Sequence, residues 1–180
     1  QSGNFFYSRR IGEEIEFDEN NFLNNDEELL NYDLKSDLLN SIKITGTTDS
    51  GLSVGFINSI TDNAYARVFN KKTGETRKEK ISPLTNYNIL TFTQQVVNEF
   101  STISFANTNV YRSSKDFENS NNLALVFDLF DNQRKFNVKG IIYNSDSPSY
   151  SETKGFRGSL NIQELTGNLR YGLGWTGVDA

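Results

Sequence analysis

The sequence predicts an all-β protein: an antiparallel up-and-down meander forming a transmembrane β-barrel or an arc of a larger one. Three observations carry that expectation. Runs of about ten residues alternate apolar with small polar side chains, as a strand with one oily and one polar face does. Short turns alternate with long polar connections along the whole chain. The apolar share is low at 36%, yet 13% of residues are Phe, Trp or Tyr, so the oily surface is concentrated in rings.

Composition narrows the function classes. The 180 residues contain no Cys and no His, which excludes a zinc finger, a thiol nucleophile, a Ser-His-Asp triad and a His-ligated metal. A formal charge of -5 argues against nucleic acid as a partner. No run of about twenty apolar residues exists, so no helix of this sequence spans a bilayer. The missing thiols fit an exported protein. The chain begins with Gln and carries no signal peptide, and residues 174–180 trail off after an aromatic strand. Both ends read as cut from something longer.

In chain order, residues 3–11 form an aromatic-rich strand with Arg9 and Arg10 near its end. Residues 12–40 read as one long acidic loop. Within it, residues 26–39 set Leu29, Leu30, Leu34 and Leu38 at helical spacing behind Asp26 as an N-cap, which predicts a short helix. The run Asp18-Glu19-Asn20 offers oxygen ligands for calcium. It lacks the Gly and terminal Glu of an EF-hand loop, so a solvated acidic loop is the plainer reading.

The central hairpin covers residues 41–68 and turns at Asp49-Ser50-Gly51. Leu52, Val54, Phe56 and Ile60 share one parity, and Ser53, Gly55, Ser59 and Thr61 the other; Ile57 and Asn58 interrupt the pattern. Residues 70–80 read as a charged loop with Gly74 near its tip. The strands 84–96 and 100–111 carry amides inside apolar alternation, and their faces are ambiguous: Asn107 and Asn109 share a parity with Ile103 and Phe105. After a polar loop at 112–122, Leu123, Leu125, Phe127 and Leu129 alternate cleanly up to Asp131-Asn132, a two-residue hairpin signal. The strand 135–144 returns, and a loop at 145–154 follows. Strands 155–164 and 168–177 then meet at Thr166-Gly167. In the last strand Leu169, Tyr171, Leu173 and Trp175 face one way, and Arg170, Gly172, Gly174 and Thr176 the other.

Such a meander has two uses. In an outer-membrane barrel the rows Leu52, Val54, Phe56; Leu123, Leu125, Phe127, Leu129; and Leu169, Tyr171, Leu173, Trp175 face lipid. Runs of ten or more residues fit tilted spanning strands, which need about 9–11. The other face, with Ser53 and Gly55, Gly172 and Gly174, and Asn107 and Asn109, suits a crowded or water-lined lumen. The alternative is a soluble β-sandwich or barrel with the oily rows inward, acting as a ligand-binding module for carbohydrate or lipid.

The acids Asp62, Glu99, Asp128 and Glu164 are spare carboxylates of the kind that glycoside hydrolysis uses in pairs. Three of them sit at strand ends or turns, where solvation explains them. Asp128 lies mid-strand on the face opposite Leu125 and Phe127, so it is expected in the lumen, paired with Lys139 and Arg170. A charge network that holds the wall is the plainer reading. We expect no enzyme activity, no cofactor and no metal.

The stretches FFYSRRIG (5–12), KITGTTDSGLSVGFINSITDNAYARV (43–68), SPLTNYNILTFTQQ (82–95), ISFANTNVYR (103–112) and GNLRYGLGW (167–175) resemble the barrel region of a Bacteroidota outer-membrane family of unassigned function. Members of that family carry an N-terminal domain similar to carbohydrate-binding family 9, followed by a large barrel. The resemblance implies that residues 1–180 are barrel, placed in the cell outer membrane. It implies a channel, or an anchor for a surface or periplasmic binding domain, with a link to glycan uptake. Implied partners are outer-membrane lipid, other outer-membrane proteins or a glycan. The sugar-binding-like domain and the later barrel strands are absent from this sequence, so nine strands leave a closed barrel and an arc both open.

Overall fold

The computed structural model describes residues 15, 22–146, 154–167 and 171–179. Among them are eleven strands: β1 (Glu27–Tyr32), β2 (Leu38–Thr47), β3 (Leu52–Thr61), β4 (Ala64–Asn70), β5 (Thr76–Ser82), β6 (Thr85–Gln95), β7 (Thr102–Arg112), β8 (Ser120–Phe130), β9 (Phe136–Asp146), β10 (Lys154–Glu164) and β11 (Gly172–Asp179). The fold is an all-β antiparallel meander in two sheets, one ordered β1-β4-β5 and the other β11-β10-β9-β8-β7-β6-β3-β2. Among the described residues no pairing joins β2 to β11, so the larger sheet is open. The strand expected at residues 3–11 and the Asp18–Asn20 run lie outside the described residues.

The chain divides into two compact units. The first comprises residues 1–41, 59–87 and 111–117. Its central strand β4 buries Ala64, Ala66 and Val68 on one parity and exposes Arg67 on the other. Ile81 joins that core, and Ile15, Phe22, Leu29 and Tyr32 pack against it. The ends of β3 and β6 bury Ser59, Thr61 and Thr85 here. Ser59 Oγ lies 2.6 Å from Ser41 Oγ, and the Thr85 hydroxyl donates to the Pro83 carbonyl. These small hydroxyls are buried without loss because each has a partner.

Two expectations fail in this unit. The helix over residues 26–39 does not form: residues 27–32 are β1, and β2 begins at Leu38. β1 pairs with β4 through a bulge between Leu29 and Asn31, so Leu29 meets the core while Leu30, Leu34 and Leu38 stand exposed. Pairing with a neighbouring strand overrides the helical spacing. The charged loop expected at 70–80 is only a turn, tied by Asn70 Oδ1 accepting the Lys72 and Thr73 amides. Residues 76–82 are β5, whose inward row is Arg77, Glu79 and Ile81, so charge hides the alternation.

That inward row depends on one ion cluster. Arg77 grips the Glu27 carboxylate at both oxygens, Nε to Oε1 at 2.9 Å and Nη2 to Oε2 at 3.0 Å. It also donates to the Phe22 carbonyl at 2.8 Å and pairs with Glu79. The Glu27 side chain is only 5% exposed. The Arg77 hydrogen bond, followed by the Asn24 amide, pulls the Glu27 pKa down from 4.5 to about 2. A carboxyl held below its unfolded value stabilises the fold fully above pH 4.5, and that contribution disappears as pH falls through about 2.

The second unit comprises residues 42–58, 88–110 and 118–180 and holds most of the larger sheet. Neighbours in this sheet follow chain order except between β3 and β6, where the chain leaves to make β4 and β5. Gly51 at φ 79° closes the β2–β3 turn, and its amide donates to the Thr48 carbonyl. The connection expected as the two-residue turn Asp131-Asn132 is five residues long, 131–135. Arg134 takes φ 54° there, and Asp131 Oδ1 accepts the Phe136 amide, which lowers the Asp131 pKa.

We expect the urea midpoint of the first unit, followed by the Ala66 and Val68 amide resonances, to fall as pH is lowered from 4.5 to about 2. In Glu27→Gln the same midpoint should start lower and stay flat across that window.

Candidate functional site

The feature of the second unit with chemical consequence is the contrast between the two faces of its sheet. Register assigns every side chain in β7 to β11 to one face or the other. Ile103 opposes Phe127, and Phe105 opposes Leu125. Leu125 then opposes Ile142, Phe127 opposes Gly140, and Leu129 opposes Val138. Beyond them Leu160 opposes Gly140, and Ile162 opposes Val138. At the last pair Leu160 meets Trp175, and Ile162 meets Leu173. One apolar row therefore crosses five strands without a break.

Side-chain contacts extend the assignment to β6, β3 and β2. The Phe92 and Phe105 rings lie 6.2 Å apart, which puts Leu90 and Phe92 on the apolar face. Thr91 Oγ1 sits beside Gly55, so Leu52, Val54 and Phe56 fall on the apolar face and Ser53 and Gly55 on the other. The Thr47 and Ser53 hydroxyls are 3.0 Å apart, leaving Ile42 and Ile44 with the apolar row. The sequence left the faces of β6 and β7 ambiguous; these contacts fix them. Asn107 and Asn109 stand on the apolar face, not the polar one, at the end of its row. Asn107 donates to Asn121 Oδ1 and the Asn122 carbonyl, and Asn109 to the Ser120 carbonyl.

The apolar row is open to its surroundings. Leu52, Val54, Phe56, Leu123, Leu125, Phe127 and Leu129 are half-buried. Ile42, Ile44, Phe92, Ile103, Ile142, Phe156, Leu160 and Ile162 are exposed. Leu173 is 78% and Trp175 61% exposed, and Tyr171, just before β11, is exposed too. Leu169 and Arg170 lie outside the described residues. Rings fill the space above glycines on this face. A Cβ on Gly140 would meet the Phe127 ring at 2.2 Å, and one on Gly177 would meet the Trp175 ring at 2.6 Å.

The opposite face carries mostly small and polar side chains, among them Ser104, Ala124, Ser159, Gly172, Gly174 and Thr176, around the apolar pair Val126 and Ile141. Asp128 and Lys139 oppose each other on it, with Nζ 3.8 Å from Oδ2. Asn137, which sequence reasoning passed over, is the centre of this group. It is 3% exposed, donates to Asp128 Oδ1 at 2.6 Å and to the Leu129 carbonyl at 3.2 Å, and accepts from Gln163 Nε2 at 3.2 Å. Its parity on β9, diagonal to Asp128, was the available signal. The half-exposed Lys139–Asp128 pair is solvent-screened and contributes little, whereas the enclosed amide cannot be removed without stranding its partners.

The other spare acids are dispersed. Glu164 pairs with Lys135 at 3.2 Å, Glu99 is exposed in the β6–β7 turn, and Asp62 of the first unit accepts the Asn63 amide. Among the described residues no cluster of three or more His, Cys, Asp or Glu could hold a metal ion, and no buried side-chain polar atom lacks a partner.

Replacing Asn137 with Ala should cost about 1–3 kcal/mol in equilibrium denaturation, because Asp128 and Gln163 lose an enclosed partner. Lys139→Gln should cost less than about 1 kcal/mol. Equal losses would show that the enclosed amide matters no more to the polar face than the ion pair does.

A search of curated proteins finds no match to this chain, and a search of solved structures finds none either. The sequence profile of the domain of unknown function DUF5916 matches residues 1–179. Since that match takes in both sheets, the chain belongs to the DUF5916 family.

Proposed function

We propose that the larger sheet is part of the wall of an outer-membrane β-barrel, its apolar row against hydrocarbon and its polar face toward water. The wall acts as a channel or as the anchor of a surface or periplasmic binding domain. The observation that carries this reading is the unbroken, open apolar row from Ile42 to Trp175. Soluble monomers rarely leave more than a few hundred Å² of contiguous apolar surface uncovered. From Leu123 to Leu129 the row runs roughly 20 Å along β8, comparable to the ~25 Å apolar band of such barrels. Polar residues bound it at both ends: Asn107, Asn109, Asn121 and Asn144 on one side, Glu164 on the other.

The opposite face supports the same reading. Its polar groups are mutually hydrogen-bonded around Asn137, an arrangement compatible with a water-filled interior. A link to glycan uptake rests on the sequence resemblance and makes glycans the first cargo to test. The soluble ligand-binding alternative requires a layer that covers the apolar row. It would be recognised by monodisperse behaviour in plain buffer.

Trp175 is the single tryptophan of the chain, which makes it a built-in depth probe. After refolding into phosphatidylcholine vesicles its emission should shift to the blue and be quenched by acyl-brominated lipid. Emission indifferent to brominated lipid would overturn the proposal. In the same vesicles Leu160→Arg should cost about 2–4 kcal/mol, as a lipid-facing cation does. Thr176→Arg, on the other face, should stay within about 1 kcal/mol.

A further inference from the structure

The three-stranded sheet of the first unit has an outer face whose charges are not balanced. β4 and β5 set Arg67 directly opposite Lys78, and Tyr65 opposite Lys80. All three cations are exposed. Like charges directly opposite on an antiparallel pair repel, so sequences usually avoid this arrangement or neutralise it. Other cations of the unit are neutralised: Arg77 is held by Glu27 and Glu79, and Lys71 by Glu28 at 3.0 Å. Among the described residues Arg67 and Lys80 form no ion pair, and the Lys78 ammonium sits 3.8 Å above the Tyr65 ring. Two carboxylates border the face. Glu28 is engaged by Lys71, and Asp33 accepts the Tyr65 amide.

Phe69 lies on the same parity of β4 as Tyr65 and Arg67, and both rings are half-buried. The face thus presents three cations beside two rings, in a chain whose net charge is -5. A cluster of one sign kept on an oppositely charged chain points to an external anion that relieves the repulsion. It is an open sheet face, which suits an extended charged surface. The Tyr65 ring set among Arg67, Lys78 and Lys80 matches the polar layer of a bilayer, where tyrosine sits at headgroup depth and cations meet phosphate.

We propose that this face docks on the phosphate-bearing headgroups of an anionic lipid layer. The setting rests on the membrane location proposed above, but the chemistry is separate: this face meets headgroups electrostatically and does not enter hydrocarbon. Each basic side chain near such a surface strengthens binding roughly fivefold.

The test is co-flotation of the full chain with preformed vesicles of phosphatidylcholine, with and without phosphatidylglycerol. Wild type and Arg67→Gln/Lys78→Gln/Lys80→Gln are compared. On phosphatidylglycerol vesicles the triple variant should bind roughly a hundredfold more weakly, and added salt should shrink the difference. On phosphatidylcholine alone the two should bind alike. Should the triple variant misfold, Lys80→Gln alone should still lose roughly fivefold. Quenching of Trp175 by brominated phosphatidylcholine reads insertion independently and should be unchanged in both variants, so the two proposals fail separately. Equal binding of wild type and variants to phosphatidylglycerol vesicles overturns the docking. So does equally tight, equally variant-sensitive binding of heparin, which would assign the face to a polyanionic glycan.

Discussion

One pairing register, kept along β8, β9 and β10, is the constraint on which the larger sheet depends. It sets Phe127 against Gly140 and Asp128 against Lys139, and it carries Gly140 on to Leu160. A slip by one residue would exchange the faces of a whole strand. Asp128 and Lys139 would then enter the apolar row, and Leu125 and Phe127 would displace the amide network around Asn137. Both faces therefore enforce the same register, one by apolar contact and the other by hydrogen bonds that no other alignment satisfies. In lipid such enforcement matters more, since an unpaired backbone amide has no water to turn to.

The first unit is held together differently. Its core residues on β4 are small, Ala64, Ala66 and Val68, and larger side chains, Phe22, Leu29 and Tyr32, close against them from the flanking segments. Much of the inward surface of β5 is ionic. Arg77 reaches residues 22, 27 and 79 at once, tying segments that the sequence separates by some fifty positions. A guanidinium with its carboxylate enclosed in this way positions strands more than it stabilises them. It also makes the unit sensitive to acid in a way that the apolar row is not.

How much of this was legible in the sequence depended on what each strand buries. β8 announced itself because Leu123, Leu125, Phe127 and Leu129 share one parity, against Ala124, Val126 and Asp128 on the other. β11 did so for the same reason, and β3 despite the break at Ile57 and Asn58. β5 did not, because two of its three inward residues are charged and only Ile81 is apolar. Residues 26–39 misled because four leucines fall at helical spacing, while the bulge in β1 and the turn before β2 send them to different surroundings. The two connections that read as long polar loops, 12–40 and 70–82, thus contain β1 and β5, the outer strands of the smaller sheet, while β4 between them was read as the end of the central hairpin. On β7 the amides Asn107 and Asn109 obscured the parity of Ile103 and Phe105. They mark where the apolar row ends, a boundary that only cross-strand neighbours reveal. Asn137 was missed since its role comes from enclosure by Asp128 and Gln163 on adjacent strands, not from its own strand's pattern.

The rings that lie over glycines have a consequence for how such a sheet can diverge. Phe127 occupies the space a side chain at 140 would need, and Trp175 the space of one at 177, while it crowds a side chain at 158. Neither partner is free to drift alone: a methyl at 140 evicts the ring, and a smaller residue at 127 leaves a dent that a bulkier 140 could fill. Substitutions at such positions should be energetically coupled. Descendants of this sheet should therefore trade bulk between adjacent strands while the relief of the surface stays nearly constant.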